Sequence, residues 1–362
     1  MTSEVQSSVA CFAENAGCLV FGSERAFLSR RVRNSLDMNP IRASILIPVK
    51  NGGSLLGDVL DTVLAQEAPW AFEVIVVDSG SSDGSVEMAR QRGVQVHSIA
   101  PSEFGHGRTR NFLASMAQGE FLVFITQDAR PASPHWLRHM VEACSAEPSV
   151  AGAFGPHLAH PGARYVTQRE LVQHFAGFGQ LPSVVRLEDR ARFDSDPGYR
   201  QWLHFFSSNN ACIRRSVWEH LPLPEVAFAE DQTWALSAIK AGYGKAYAPD
   251  AAVYHSHDFG IWETLQRNFD EARSFHRYFG YKVQASLHRA LASGVQLARR
   301  DAAWLREQGL GGWHLVRQTV FMAFIELARV TGQYLGTQHE RLPHFVLRSV
   351  SRDEHLQRAG AV

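Results

Sequence analysis

The chain has 362 residues, 45% of them apolar and 20% charged, which is enough apolar material for a full core and excludes wholesale disorder. Lys+Arg and Asp+Glu balance at 36 each, so the basic excess typical of a nucleic-acid-binding domain is missing. This length suits one large domain or a domain with a sizeable appendage.

Residues 1–39 read as an N-terminal extension. They show neither a basic n-region nor an h-region of sufficient length, and no run of roughly 18 apolar residues occurs in the sequence. Cys11, Cys18, Cys144 and Cys212 form no C-x-x-C pair, so neither a zinc ribbon nor a disulfide framework is encoded. A cytoplasmic protein in a reducing compartment is expected.

From residue 43 the pattern changes. Ser44–Val49 is a short apolar strand that runs into Lys-Asn-Gly-Gly. Leu55, Leu56, Val59, Leu60, Val63 and Leu64 then fall on one helical face. Phe72–Val77 predicts a second strand, 85–91 a helix, 94–99 a strand, 109–116 a helix, 120–126 a strand and 134–146 a helix. Strands alternating with amphipathic helices imply a parallel sheet covered on both faces, and uninterrupted apolar strands fit that burial. Ligands of such sheets gather at the carboxyl ends of the strands, here Lys50-Asn51, Asp78 and Gln127-Asp128.

Beyond about residue 150 the alternation weakens. Ser208–Ile213 reads as a strand, 231–241 as a helix closed by Gly242, and 245–254 as a strand ending in His255-Ser-His257. Residues 259–362 are helical in pattern. The stretch 283–362 carries ten arginines against six acids. Within it Val316, Val320, Phe321, Phe324, Ile325 and Leu327 cluster on one helical side, near Arg317 and Arg329. That stripe fits ordinary core, a contact between copies of the chain, or an anionic membrane surface.

Taken singly, the polar candidates have structural explanations. Asp78 suits a turn, Asp83 a turn or helix cap, Asp128 a helix-entry turn and Asp231 an N-cap. Asp128 also stands where a carboxylate could bind a divalent cation, and His255 and His257, two apart on a strand, could complete a metal site. Arg108 and Arg110 at a helix start oppose the helix dipole, which a bound anion would explain.

In chain order the motifs are Pro48-Val49-Lys50-Asn51, Val-Val-Asp78-Ser-Gly-Ser-Ser-Asp83-Gly84, Gly105-His-Gly-Arg-Thr-Arg110-Asn111, Thr126-Gln127-Asp128-Ala129, Glu230-Asp231 and His255-Ser-His257. Over residues 43–258 this series resembles the family 2 glycosyltransferases of GT-A fold. Thr-Gln-Asp-Ala with His-Gly-x-x-Arg-Asn is most similar to bacterial rhamnosyltransferases of surface polysaccharide assembly. The resemblance implies an α/β, GT-A type (Rossmann-like), mostly parallel sheet over 40–258, with a helical C-terminal appendage over 259–362. It places Pro48, Val49 and Asp78 at the donor nucleotide, with Arg110 on the base side. Asp128 matches the last carboxylate of the family's DxD motif, which binds Mg²⁺ or Mn²⁺; Asp231 matches the catalytic base, and His257 a histidine supporting metal and diphosphate. The first Asp of DxD is absent here, and Gln127 remains as a ribose contact.

The implied reaction is an inverting, metal-dependent transfer of a sugar, L-rhamnose from dTDP-L-rhamnose, onto a saccharide or lipid-linked saccharide. A cation stabilises the diphosphate leaving group, and a carboxylate takes the acceptor's proton. Glu230, Trp202, Asn209 and Asn210 are the acceptor-side candidates. Gln266-Arg267-Asn268-Phe269 does not supply the QxxRW of processive members, so a single addition is expected. The partners implied are a nucleotide-diphospho sugar and its acceptor, with peripheral membrane contact at the inner face of the cell membrane and homo-oligomerisation both open, and no nucleic acid. Competing readings are a UDP-hexose donor on the same fold and a non-catalytic sugar- or lipid-carrier-binding protein. A dehydrogenase is disfavoured, because no G-x-G-x-x-G follows the first strand.

Overall fold

A computed structural model describes residues 40–284 and 286–352. The N-terminal extension, with Cys11 and Cys18, lies outside the described residues. In chain order the first half comprises β1 (Ala43–Val49), α1 (Gly53–Leu64), β2 (Phe72–Asp78), α2 (Ser85–Gln91), β3 (Gln95–Ser98), α3 (His106–Met116), β4 (Phe121–Ile125), β5 (Arg130–Pro131), α4 (Trp136–Ser145), β6 (Val150–Phe154) and β7 (His157–Leu158). Then come α5 (Tyr165–Ala176), β8 (Ser183–Val185), α6 (Arg190–Ser195), α7 (Pro197–His204), β9 (Asn210–Arg214), α8 (Arg215–Trp218), α9 (Glu230–Lys240), β10 (Gly244–Tyr247) and β11 (Val253–Tyr254). Four helices close the described chain: α10 (Ile261–Phe279), α11 (Leu287–Glu307), α12 (Gly312–Thr337) and α13 (His344–Val350).

The main sheet has the strand order β3-β2-β1-β4-β9-β6-β10-β8. Strands β3, β2, β1 and β4 are parallel, as are β6 and β10, whereas β9 runs antiparallel between β4 and β6. The burial of both faces explains the uninterrupted apolar strands. In β4, Phe121, Val123 and Ile125 pack with α1 and α4 on one face, while Leu122 and Phe124 pack with α3 and α9 on the other. Each such side chain contributes roughly 1.5–3 kcal/mol when fully buried.

Two sequence expectations change in detail. Beyond residue 150 the expected strands at 208–213 and 245–254 correspond to β9 and β10, and the unexpected β6 and β8 join them in the main sheet. The β6 stretch Val-Ala-Gly-Ala-Phe is short and small-residued, which hides it from a pattern reading. The single strand expected over 245–254 is two strands, because the chain leaves the main sheet after Tyr247. It re-enters a small sheet at Val253, in the order β5-β11-β7.

The C-terminal helices are joined to the α/β part by a buried ion cluster. Arg169 on α5 pairs with Asp301 on α11 at 2.8 Å and Glu326 on α12 at 2.6 Å, all three side chains at most 2% exposed. Burial, with the charge of Asp301, pushes the Glu326 carboxyl up to about 7 against the opposing pull of Arg169. Arg329 also pairs with Glu170 of α5 and with Glu326.

Helix α12 approaches α10 through two glycines one turn apart. A Cβ on Gly332 or Gly336 would run into the carbonyl oxygens of Leu265 and Phe269 respectively. Replacing Gly336 with Val is therefore expected to force the helices apart and to lower stability by about 1–3 kcal/mol, the usual cost of overpacking. Urea unfolding of the variant against the parent protein measures it.

Candidate functional site

The strand ends of β1 and β4 are clamped side by side by one side chain. Gln127 accepts the Lys50 N–H at 2.8 Å and donates to the Lys50 carbonyl at 3.0 Å, extending the β1–β4 ladder by a side-chain rung. One N–H and one lone pair of its amide are thus engaged by backbone, and a second of each remains. Asp78, at the end of β2, accepts from the N–H groups of Gly80 and Ser81 and shapes the turn after the strand. The loop after β1 locks onto the loop after β2. Asn51 adopts φ 49°, donates its N–H to Ser81 and accepts from the Ser82 N–H, while the Gly53 N–H donates to Asp83. Pro48 and Val49 lie in the last part of β1, paired with Val77 and Asp78.

Beside this edge, the small sheet assembles a polar cluster. Antiparallel pairing of β5 with β11 sets Val253 against Pro131 and Tyr254 against Arg130. Asp128, just before β5, therefore meets the histidines just after β11. Its carboxylate lies 3.5 Å from His255 Nε2 and 3.2 Å from His257 Nε2. One ligand atom from each of the three residues lies within 4.8 Å of the others, which suits a single cation. Burial lowers His255 to about 4, so its ring is neutral and ready to donate a lone pair near pH 7. Burial alone would raise Asp128; the His257 hydrogen bond and the charges of both histidines outweigh it and hold the carboxyl well below the usual range. A carboxylate with two imidazoles suits Mn²⁺ better than Mg²⁺, which prefers all-oxygen surroundings. His255 is the member of this cluster that the family motifs did not assign.

The second centre sits at the start of α9. Ala229 precedes it at φ 58°, a left-handed conformation that a residue with a Cβ adopts at a cost of roughly 1–2 kcal/mol. This turn aims Glu230 and Asp231 inward from the first helical turn. Asp231 Oδ2 accepts from the Ser208 N–H at 2.8 Å, and Oδ1 from the Gln232 N–H at 2.7 Å. The Ser208 hydroxyl lies 3.2 Å from both Glu230 Oε1 and Asp231 Oδ2, able to donate to one at a time. Arg110 forms a buried pair with Glu230 at 3.0 Å. Burial and the charge of Glu230 push Asp231 up to about 6, against the pull of the Ser208 N–H and Arg110. A carboxyl there is poised to take a proton near neutral pH.

Asp231 and His257, one residue from each centre, line one cavity of about 600 Å³ together with His106, Arg110, Asn209 and Arg267. Arg110 lines this cavity beside Glu230 and Asp231. The cation excess at the start of α3 is answered by protein carboxylates: Arg108 pairs with Glu225 at 2.7 Å and Arg110 with Glu230, which removes the need for a bound anion. Two acceptor candidates fall elsewhere. Asn210 is fully buried, its amide accepting from Trp136 Nε1 and donating to the Pro156 and Ala251 carbonyls, so it braces β9 and does not meet a substrate. Trp202 stacks near Tyr199 and opens on a different groove, with Val184, Arg186 and Asp189. Asn209 does line the cavity. Ser208, which holds both carboxylates, carries no signal in a single sequence, because its partners are 22 and 23 residues away.

The glycosyl transferase family 2 model matches residues 44–221. The O-antigen chain rhamnosyltransferase RfbN of Salmonella typhimurium is 33% identical over 307 residues, covering 84% of this chain and 92% of RfbN. The O-antigen chain rhamnosyltransferase WbaN of Salmonella anatum is 30% identical over 231 residues, 63% of this chain and 70% of WbaN. Among solved structures, the mannosyltransferase PcManGT from Pyrobaculum calidifontis, in complex with GDP-Man and Mn²⁺, superposes with a TM-score of 0.53 at 19% identity, over 85% of this chain and 93% of its own. The fold is therefore GT-A, and the chain is a glycosyltransferase that belongs to glycosyl transferase family 2, close to the O-antigen rhamnosyltransferases.

Proposed function

We propose that this enzyme is an inverting, Mn²⁺-dependent rhamnosyltransferase, moving L-rhamnose from dTDP-L-rhamnose onto a saccharide or lipid-linked saccharide acceptor on the cytoplasmic side of a bacterial surface-polysaccharide pathway. The observation that carries the reading is that Asp231 and His257 line one cavity, with Asp128 3.2 Å behind His257. That RfbN and WbaN are rhamnosyltransferases supports the sugar, and the Mn²⁺ bound to PcManGT supports the metal.

In this reading the strand ends around Pro48, Val49 and Asp78 receive the nucleotide. Asp128, His255 and His257 would hold a divalent cation, which would supply charge neutralisation for a diphosphate leaving group. Asp231 accepts the proton of the acceptor hydroxyl as that oxygen attacks the anomeric carbon from the face opposite the diphosphate. Attack from that face inverts the centre and needs no covalent sugar–enzyme intermediate. Ser208 fixes the Asp231 carboxylate, and Arg110 offsets the charge of Glu230 beside it. Calorimetric titration of dTDP-rhamnose and of UDP-glucose, each with and without Mn²⁺, tests the donor: Mn²⁺-dependent binding of the first alone is expected, and a preference for UDP-glucose would replace the sugar.

Asp231→Asn is expected to keep donor binding while turnover falls by about 10²–10⁴, the usual contribution of a positioned base. Undiminished turnover would remove Asp231 from that role. For the cation, Asp128→Asn should weaken Mn²⁺ binding to the full chain by at least tenfold, measured by the electron paramagnetic resonance signal of free Mn²⁺. His255→Ala should act in the same direction.

The pH profile follows from the carboxyl near 6. A base works only when deprotonated, so the rate should rise with pH through about 6 and level off above it. Removing a neighbouring cation disfavours the anion, so Arg110→Met should move that limb to higher pH by about one unit. An unmoved limb would mean that Arg110 does not set the state of Asp231.

A further inference from the structure

The apolar residues that the sequence groups on one side of α12 divide between two faces. Ile325 and Met322 point into a small core with Leu305 and Val166, and Phe321 packs against it. Val316, Val320, Phe324 and Leu327 point the other way, and with Trp313 they are between 42% and 77% exposed. Their spacings of three or four residues (seven across two turns) make a continuous row on the helix face opposite the buried one. On α11, Leu287, Leu291 and Val295 repeat every fourth residue and are likewise half exposed. Monomeric proteins rarely leave such a continuous apolar row uncovered.

The charges around these rows have one sign. On α11 and α12 the exposed ionised side chains are Arg289, Arg299, Arg300, Arg306 and Arg317, against Glu307 alone among the described residues. The other acids of these helices, Asp301 and Glu326, are buried on Arg169 and do not offset the surface. Arg299 follows Val295 by one turn, and Arg317 follows Trp313 by one turn, so cations stand in line with the apolar rows. A second copy of the chain meeting this face about a two-fold axis would bring arginines against arginines. No helix among the described residues is long and apolar enough to cross a membrane.

We propose that the outer faces of α11 and α12 dock on an anionic phospholipid surface, apolar side chains entering the headgroup boundary and arginines pairing with lipid phosphates. This placement does not depend on the donor sugar or on catalysis, and it stands or falls separately from them.

Co-sedimentation of the full chain with vesicles tests it, comparing pure phosphatidylcholine with phosphatidylcholine containing about one-third phosphatidylglycerol. Partitioning onto the anionic vesicles, weak on the neutral ones and reduced by salt, is the expected result. The double variant Val320→Glu/Phe324→Glu, both positions exposed, should lose at least tenfold in partitioning with an unchanged circular dichroism spectrum. Arg299→Gln and Arg317→Gln should each weaken it by about fivefold. Equal binding to neutral and anionic vesicles would overturn the proposal. So would the absence of vesicle binding, whether sedimentation velocity then shows a dimer or a monomer.

Discussion

Two adjacent carboxylates held inside protein are the constraint around which this enzyme is arranged. Glu230 and Asp231 are neighbours in the first turn of α9, where the helix dipole favours them but burial and mutual repulsion do not. The fold answers each differently. Glu230 receives a full cation from Arg110 and is fixed as an ion pair, whereas Asp231 receives only backbone N–H groups and a share of one hydroxyl. The pair is thereby split: one carboxylate is tied to a cation, and the other is pushed up to about 6 by burial and its neighbour's charge. The left-handed Ala229 is part of the same arrangement, since the chain must turn sharply for both side chains to enter the cavity.

The Asp128–His255–His257 cluster has a different physical origin. Nothing about Asp128 or His257 draws them together across more than a hundred residues; two short strands do. Pairing of β5 with β11 fixes the register, and a slip of one residue would turn the histidines to the other face. Gln127 ties β4 to β1 through the Lys50 backbone, and Asp128 next to it has two imidazoles as neighbours.

The helical region is an integral wall of the site. Arg267 on α10 lines the cavity, and the buried Arg169–Asp301–Glu326 cluster holds α11 and α12 against α5. Burying those acids has a second effect, because it leaves the outer surface of the same helices with an excess of arginine. One cluster therefore attaches the region to the catalytic part and sets the charge of the opposite face.

The sequence by itself determined the strand–helix alternation up to residue 150, since buried parallel strands must be apolar on both faces and their polar punctuation falls at one edge. It also contained the ordered motifs through which Asp78, Asp128, Asp231 and His257 were singled out. Tertiary structure alone decided the partners of those residues. The antiparallel β9 turned Asn210 inward to Trp136, so an amide that looks available in the sequence is buried. Arg110 went to Glu230 across 120 residues of chain, and Trp202 went to another groove. The two faces of α12 were separated only when one of them met α10 and α11. Local periodicity records that a side chain is apolar or charged; which neighbour it meets is set by the packing of elements far apart in the chain, and no spacing within a single segment carries that information.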